Sequence, residues 1–184
     1  NNVLKTICVQ AHQSTEETNW LLELAKSSST VAGVVGWVDL AAEDVESQLD
    51  KFQEDPKFKG VRHIWHDEDE ENWIMDSKIL RGLKVLAERN LSFDFLARPN
   101  HLKYIYEVYE KAPELRGVID HIAKPDTKNY VMDPWSKDLD NLSNIPNLFC
   151  KISGLVTEAG VDWKQKRLGD FISVVKETFG TEKI

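Results

Sequence analysis

Six short apolar segments alternate with six amphipathic stretches along the 184 residues, and this alternation limits the possible folds more than any other feature. The segments are rich in β-branched and aromatic residues, whereas apolar residues in the other stretches recur at spacings of three and four. Strands alternating with helices form a parallel sheet covered by helices. We predict strands at 3–10, 31–40, 60–65, 91–97, 117–122 and 148–155, and helices at 14–25, 43–52, 79–89, 102–111, 133–142 and 168–179.

Two architectures fit this pattern, a doubly wound open sheet and a (β/α)8 barrel. The phosphate-binding glycine motif of dinucleotide folds is absent after the first strand, where Gln10-Ala-His-Gln-Ser14 stands instead. Nearly every predicted strand ends in polar side chains, and a barrel gathers all its strand ends around one mouth. We therefore expect an α/β fold of the TIM-barrel type. A flavodoxin-type binding module, with a flat sheet and a switch point, is the alternative.

Alternation along each strand predicts which side chains face the barrel interior. The polar set would face inward and the purely apolar set would meet the helices. On this basis Cys8 and Gln10 face inward on the first strand, whereas Ile7 and Val9 face the helices. The same argument places Asp94 and Lys151 inside.

The chain is short for a complete barrel, which takes about 250 residues. Six strands are predicted where eight are needed, so we expect about six βα units in a single domain over residues 1–184, the central portion of a barrel. We expect one βα unit before Asn1 and the last strand after Ile184.

Charge and composition narrow the expected partners. A formal net charge of −8 disfavours nucleic acid and anionic membranes, and no stretch has the roughly 18 apolar residues of a membrane span. Cys8 and Cys150 lie in apolar runs without metal-type spacing, which indicates buried core residues and a reducing, cytoplasmic location. The acidic stretch 67–71 is interpreted as a solvated loop, with a flap over the barrel mouth as the alternative.

The stretch from Gly117 to Pro125 is the most informative for chemistry. Its apolar positions have no helical spacing, and Pro125 prevents regular structure from continuing. Asp120, His121 and Lys124 would therefore lie at or just beyond the carboxyl end of a strand, the edge where ligands bind in parallel α/β folds. A core histidine satisfied by one hydrogen bond is the alternative interpretation of His121.

Five motifs together resemble the amidohydrolase-related proteins, in the subgroup of sugar lactonases and pyrone-dicarboxylate lactonases. The two sharpest are Asp-His-Ile-Ala-Lys-Pro at 120–125 and Cys-Lys-Ile-Ser-Gly-Leu at 150–155. The others are Gly-Trp-Val-Asp-Leu at 36–40, Lys-Gly-Val-Arg-His at 59–63 and Phe-Asp-Phe at 93–95. They stand in the order and approximate spacing of that family, and the resemblance covers nearly the whole chain.

The resemblance implies a (β/α)8 barrel that hydrolyses a lactone by attack of water on the carbonyl at the carboxyl ends of the strands. It implies that His121 ligates a metal or polarises the carbonyl. One divalent ion such as zinc is expected in some members of the subgroup and none in others. The family's His-x-His pair and its aspartate on the last strand have no counterpart here, so further metal ligands are expected outside this chain. A catalytically inactive barrel kept as a binding or scaffold protein is the alternative.

Seven further side chains are candidates for substrate binding. Arg62 offers a fork for a carboxylate or carbonyl group, although an ion pair with Asp39 or Asp94 is the alternative. A lysine at 151 inside the barrel must be paired or neutralised, so a site role and a structural salt bridge stay open. We expect a small-molecule lactone as the partner, with a homo-oligomer as a further option. The candidates are Trp37, Arg62, His63, Asp94, Lys124, Lys151 and Ser153.

Overall fold

One sheet of six parallel strands forms the centre of the computed structural model, which describes residues 2–184. The strands lie side by side in chain order, each paired with its neighbours in sequence. This confirms the predicted α/β fold with six βα units. The strands are β1 Thr6–Val9, β2 Val31–Gly36, β3 Phe58–His63, β4 Ser92–Phe95, β5 Arg116–Ile119 and β6 Leu148–Cys150.

The connections between the strands carry the helices that cover one face of the sheet. Helix α1 shows how they begin, because the Ser14 hydroxyl accepts a hydrogen bond from the Glu17 backbone N–H at 3.1 Å and caps the first turn. The helices are α1 Thr15–Lys26, α2 Val45–Gln53, α3 Ser77–Glu88, α4 Leu102–Lys111, α5 Trp135–Ser143, α6 Leu155–Glu158 and α7 Gln165–Phe179. None of them, over residues 2–184, is long and apolar enough to cross a bilayer.

Several strands are shorter than predicted, and two of them end where the site begins. The fifth strand stops at Ile119, because residues 121–124 take left-handed backbone conformations. The sixth stops at Cys150 and is followed by the short helix α6, which was not predicted. The prediction was wrong in both places because runs of Val, Ile and Leu favour a strand equally well whether or not the pairing continues.

The sheet curves around a concave space of about 610 Å³, lined by residues from all the strands or the positions directly after them. The predicted inward orientation is correct for Asp94 and Lys151 and wrong for β1, where Ile7 and Val9 line the space and Cys8 packs against the core. Barrel interiors are filled by branched apolar side chains, so apolar character does not distinguish the two faces of such a strand.

The hydrophobic core lies between the sheet and the helices, and its largest buried side chains are Trp65, Trp135, Phe93, Phe95 and Phe171.

The acidic loop after β3 is only partly the solvated loop that the sequence predicts. Residues 67, 69 and 70 are exposed, but Glu68 contacts His63, and the Glu71 carbonyl accepts a hydrogen bond from the buried Trp65 indole at 3.2 Å. The Glu71 carboxylate also accepts a hydrogen bond from Asn100 and pairs with Lys103 on α4. These contacts hold the loop beside the carboxyl ends of β3 and β4.

Candidate active site

Two buried carboxylates and two cations form one network at the carboxyl ends of β3 to β6. The Arg62 guanidinium donates to the Asp120 carboxylate at 2.9 Å, and the Lys151 ammonium lies 2.8 Å from the other oxygen of the same carboxylate. Lys151 also pairs with Asp94. The network is held in place by β-sheet register, since residues 62 and 94 are direct neighbours across β3 and β4. Two positive charges thus oppose two negative ones at one wall of the concave space.

The two carboxyl groups of this network differ in acidity. Burial and the neighbouring Asp120 charge raise the pKa of Asp94 to about 6, although Lys151 opposes the shift. Burial also acts to raise the pKa of Asp120, but the contacts with Lys151 and Arg62 outweigh it and hold the pKa below its ordinary value. The pKa of Lys151 is raised, because the two carboxylates more than offset its burial. Asp120 is therefore ionised at neutral pH, between the two cations.

His121 lies next to this network and lines the concave space. Its Nδ1 atom is 2.8 Å from the Ser153 hydroxyl, while Nε2 has no hydrogen bond within residues 2–184. Burial, together with Lys124, Arg62 and Lys151, lowers the pKa of the imidazole. At neutral pH the ring is therefore uncharged, with Nδ1 oriented by Ser153 and Nε2 free for substrate.

Gly154 permits this placement of the imidazole. A Cβ atom at position 154 would lie 2.8–3.0 Å from three atoms of the His121 side chain, closer than van der Waals contact allows. The glycine also has φ of 68°, in the left-handed region. The Ser-Gly pair at 153–154 therefore fixes the histidine from both sides, the hydroxyl by a hydrogen bond and the glycine by leaving room.

The backbone that carries His121 is itself unusual. Residues 121–124 all have φ between 48° and 59°, and none of them is glycine. Such conformations cost L-residues about 1–2 kcal/mol each. The turn starts directly after β5, so it redirects the chain at the point where the strand reaches the site.

Trp37 and His63 lie in a separate aromatic cluster outside the lining of the concave space. The Trp37 indole N–H donates to His63 Nδ1 at 3.2 Å, so the ring proton is on Nε2 and is shared with Glu68 at 2.6 Å. The ring stacks on Trp73 with centroids 4.0 Å apart, and burial lowers its pKa. Both nitrogens of His63 are thus engaged within the protein, and its predicted substrate contact stays a prediction.

Lys124 forms a third group with His66 and Glu158. Its ammonium is 3.4 Å from His66 Nε2 and 3.8 Å from the Glu158 carboxylate. Burial and the Lys124 charge lower the pKa of His66.

The structure therefore brings five of the predicted residues together in one constellation at the strand ends. The other candidates, Trp37, His63 and Lys124, lie in the two neighbouring groups. The five are Arg62, Asp94, His121, Lys151 and Ser153.

Asp120 is the member of this constellation that was missing from the predicted site residues. The sequence placed it at a strand end and in the motif at 120–125 without assigning it a role. Alternation along β5 could have placed it, because Val118 and Asp120 share the concave face. Gly154 lies in the motif at 150–155, but its role in leaving room for the His121 ring could not be predicted, since it depends on a contact made in the folded chain.

The family assignment follows from comparison with known proteins. The family model described as Amidohydrolase matches residues 1–184, which is the whole chain. The chain belongs to the amidohydrolase family. This agrees with the resemblance carried by the motifs at 120–125 and 150–155, which supply Asp120, His121, Lys151 and Ser153.

Two curated family members share substantial sequence with the chain. L-fucono-1,5-lactonase from Burkholderia ambifaria is 35% identical over 184 residues, which are all of this chain and 63% of that protein. L-fucono-1,5-lactonase from Burkholderia multivorans is 29% identical over 192 residues, covering 97% of this chain and 64% of that protein. The chain thus spans just under two thirds of the length of these relatives.

Solved amidohydrolase structures confirm the fold as part of a TIM-type barrel. An amidohydrolase from Burkholderia multivorans with bound zinc has a TM-score of 0.91 at 28% identity, covering 98% of this chain and 66% of that one. A putative 2-pyrone-4,6-dicarboxylic acid hydrolase from Pseudomonas putida has a TM-score of 0.78 at 17% identity, covering 98% and 64%. At that identity the second likeness concerns the fold alone.

The described residues do not supply a complete metal site for such an ion. Residues 2–184 contain no group of three or more His, Cys, Asp or Glu side chains placed to hold a metal. His121 offers one free nitrogen, but the two carboxylates that line the same concave space, Asp94 and Asp120, already pair with Lys151 and Arg62. A carboxylate that is already paired with Lys or Arg is a poor candidate ligand for a metal ion, because the two positive charges would repel each other.

Proposed function

We propose that this chain provides the substrate-binding and carbonyl-polarising part of a lactonase, which hydrolyses the cyclic ester of a sugar acid or of a dicarboxylate. One observation carries the proposal. The imidazole of His121 is neutral and its Nε2 is free, and it lies at the carboxyl ends of the strands next to Arg62 and Lys151, which are paired with carboxylates. The two relatives named L-fucono-1,5-lactonase support a sugar lactone as the first substrate to test.

His121 is proposed to polarise the lactone carbonyl. With the Ser153 hydroxyl donating to Nδ1, the ring proton is on Nε2, which donates to the carbonyl oxygen. Water then adds to the carbonyl carbon, and negative charge develops on that oxygen. Collapse of the intermediate breaks the ring C–O bond and gives the hydroxy acid.

Arg62 and Lys151 are proposed to stabilise the charge that develops on the substrate. The Lys151 ammonium has three N–H groups and two carboxylate partners, so one N–H remains for a substrate oxygen. Asp94 and Asp120 are both engaged by cations, and the sequence resemblance implies that an aspartate on the last strand of the barrel activates water. We therefore expect the base for water outside these 184 residues, as the sequence resemblance implies.

A divalent metal such as zinc would also need ligands from outside the described residues, with His121 as the candidate ligand here. No step above passes through a metal, and metal-independent hydrolysis would use the same side chains.

The two free cysteines support a cytoplasmic location as part of this proposal. Burial raises the pKa of the Cys150 thiol to about 12, in keeping with a core role.

Hydrolysis rates of the intact protein, which includes the segments expected to supply the base, and of its His121→Asn variant test the proposal. Both are assayed by acid release from L-fucono-1,5-lactone and, separately, from 2-pyrone-4,6-dicarboxylate. We expect His121→Asn to lower kcat by at least about 100-fold, as for loss of an oxyanion donor, with KM changed little. His12→Asn is the matched control, since His12 is an exposed histidine.

Failure of the intact wild-type protein, assayed with the segments that we expect to supply the base, to hydrolyse either lactone above the uncatalysed rate would contradict the proposal and favour an inactive barrel. Equal kcat values for His121→Asn and the wild type would remove His121 from the chemistry. Preference between the two lactones decides between a sugar acid and a dicarboxylate.

A further inference from the structure

A buried tryptophan outside the site makes a hydrogen bond to the turn that carries His121. Trp135, the first residue of α5, is 2% exposed, and its indole N–H donates to the Ile122 carbonyl at 2.7 Å. Ile122 itself is fully buried. This bond joins a helix on the outer side of the sheet directly to the residue that follows His121.

The turn needs such restraint because its conformation is intrinsically unfavourable. His121, Ile122, Ala123 and Lys124 are consecutive left-handed residues, and a β-branched residue at φ of 50° is a clear outlier. Within the turn, the Lys124 N–H donates to the His121 carbonyl at 2.9 Å. Without contacts from outside, this segment would relax to ordinary backbone conformations and move the imidazole.

Two outside contacts hold the turn at Ile122. On one side, its N–H donates to the Lys151 carbonyl at 3.1 Å, which joins the turn to the end of β6. On the other side, its carbonyl accepts the bond from Trp135. The indole also packs against Phe171 on α7, with ring centroids 5.3 Å apart, so the donor is fixed by two helices.

We infer that Trp135 is a positioning residue for His121: its indole N–H fixes the left-handed turn and thereby sets where Nε2 meets the substrate. The expected effect on kcat rests on the proposed function. The position of the His121 imidazole can be measured without any reaction. Trp135 does not line the concave space and acts only through the turn.

The test compares Trp135→Phe with Trp65→Phe. Phenylalanine keeps most of the ring volume and removes the N–H. Trp65 is a matched control because it is also fully buried and also donates its indole N–H to a backbone carbonyl, that of Glu71. The ring signals of ¹³C-labelled histidines are compared by NMR at one neutral pH, and His121→Asn assigns the signal of His121.

We expect Trp135→Phe to shift the His121 signal, because the turn that carries the imidazole loses one of its two outside hydrogen bonds. Its kcat for the lactone should fall on the order of 10- to 100-fold with KM within about twofold, because a displaced catalytic group affects the chemical step. Trp65→Phe should leave the His121 signal in place. An unchanged His121 signal in Trp135→Phe, or the same change in both variants, overturns the inference.

A measurement on the wild type covers the case in which Trp135→Phe does not fold. The Trp135 indole N–H should exchange with solvent at least about 100-fold more slowly than that of Trp20, which is 60% exposed. Equal exchange rates would overturn the inference. A wild type without lactonase activity but with a His121 signal sensitive to Trp135→Phe would refute the proposed function alone.

Discussion

At the scale of single residues, the site is controlled by how charge is shared among four buried or half-buried groups. Lys151 is the only described cation that pairs with both Asp94 and Asp120, whereas Arg62 pairs with Asp120. Removing one member of a buried ion pair leaves an uncompensated charge, which costs far more than removing both members. The network therefore makes a clear prediction about pairs of substitutions.

Lys151→Met should destabilise the protein by about 3 kcal/mol, near the low end for a broken buried pair because Lys151 is partly exposed. The double variant Asp94→Asn/Lys151→Met should be more stable than Lys151→Met alone, because Arg62 and Asp120 then remain as a balanced pair. Urea unfolding of the wild type, both single variants and the double variant measures this. Additive losses would contradict a shared charge network.

The acidity of Asp94 predicts a pH effect with a definite sign. Its pKa is raised to about 6 in the folded protein, so between about pH 4 and pH 6 the folded state binds more protons than the unfolded state. The free energy of unfolding should therefore fall as pH rises through this window, by on the order of 2–3 kcal/mol at most. Urea unfolding at several pH values should show this slope in the wild type relative to Asp94→Asn. Parallel curves would refute it.

At the scale of secondary-structure elements, the site depends on two strands that end early. The turn at 121–124 stores roughly 4–8 kcal/mol of backbone strain, at about 1–2 kcal/mol per residue, which burial of Ile122 and its two hydrogen bonds help to offset. Local propensity predicts a strand here, because Val118, Ile119 and Ile122 favour β structure. The left-handed turn arises from tertiary contacts, so the sequence could place His121 at a strand end without revealing its geometry.

Gly154→Ala should disturb this arrangement in a specific way. The new Cβ would press on the His121 ring, so kcat should fall roughly tenfold or more. Gly160→Ala is the matched control, because Gly160 also has a left-handed φ, of 73°, but a Cβ there would lie 3.7 Å from its nearest neighbour, the Lys128 side chain. Both variants should lose about 1–2 kcal/mol of stability from the left-handed backbone alone. Similar kinetic losses in both would contradict a specific role for Gly154.

At the scale of the whole molecule, the order of the strands and the curvature of the sheet collect residues that are far apart in sequence. Arg62, Asp94, Asp120 and Lys151 come from four successive strand ends, and parallel register brings them together. The sequence predicted this gathering because it depends on strand order and polarity. The inward face of β1 could not be predicted in the same way, because apolar residues occur on both faces of a barrel strand. The contacts that anchor part of the acidic loop could not be predicted either, because the partners of its charged residues come close only in the folded protein.

The most direct test of the proposed site is a crystal structure of the protein with the hydroxy acid formed from L-fucono-1,5-lactone. We expect the product carboxylate at the carboxyl ends of β3 to β6, with an oxygen within hydrogen-bond distance of His121 Nε2 and another polar contact to Lys151 or Arg62. Product bound elsewhere, for example in the groove lined by Lys26 and Lys51 between α1 and α2, would contradict this site.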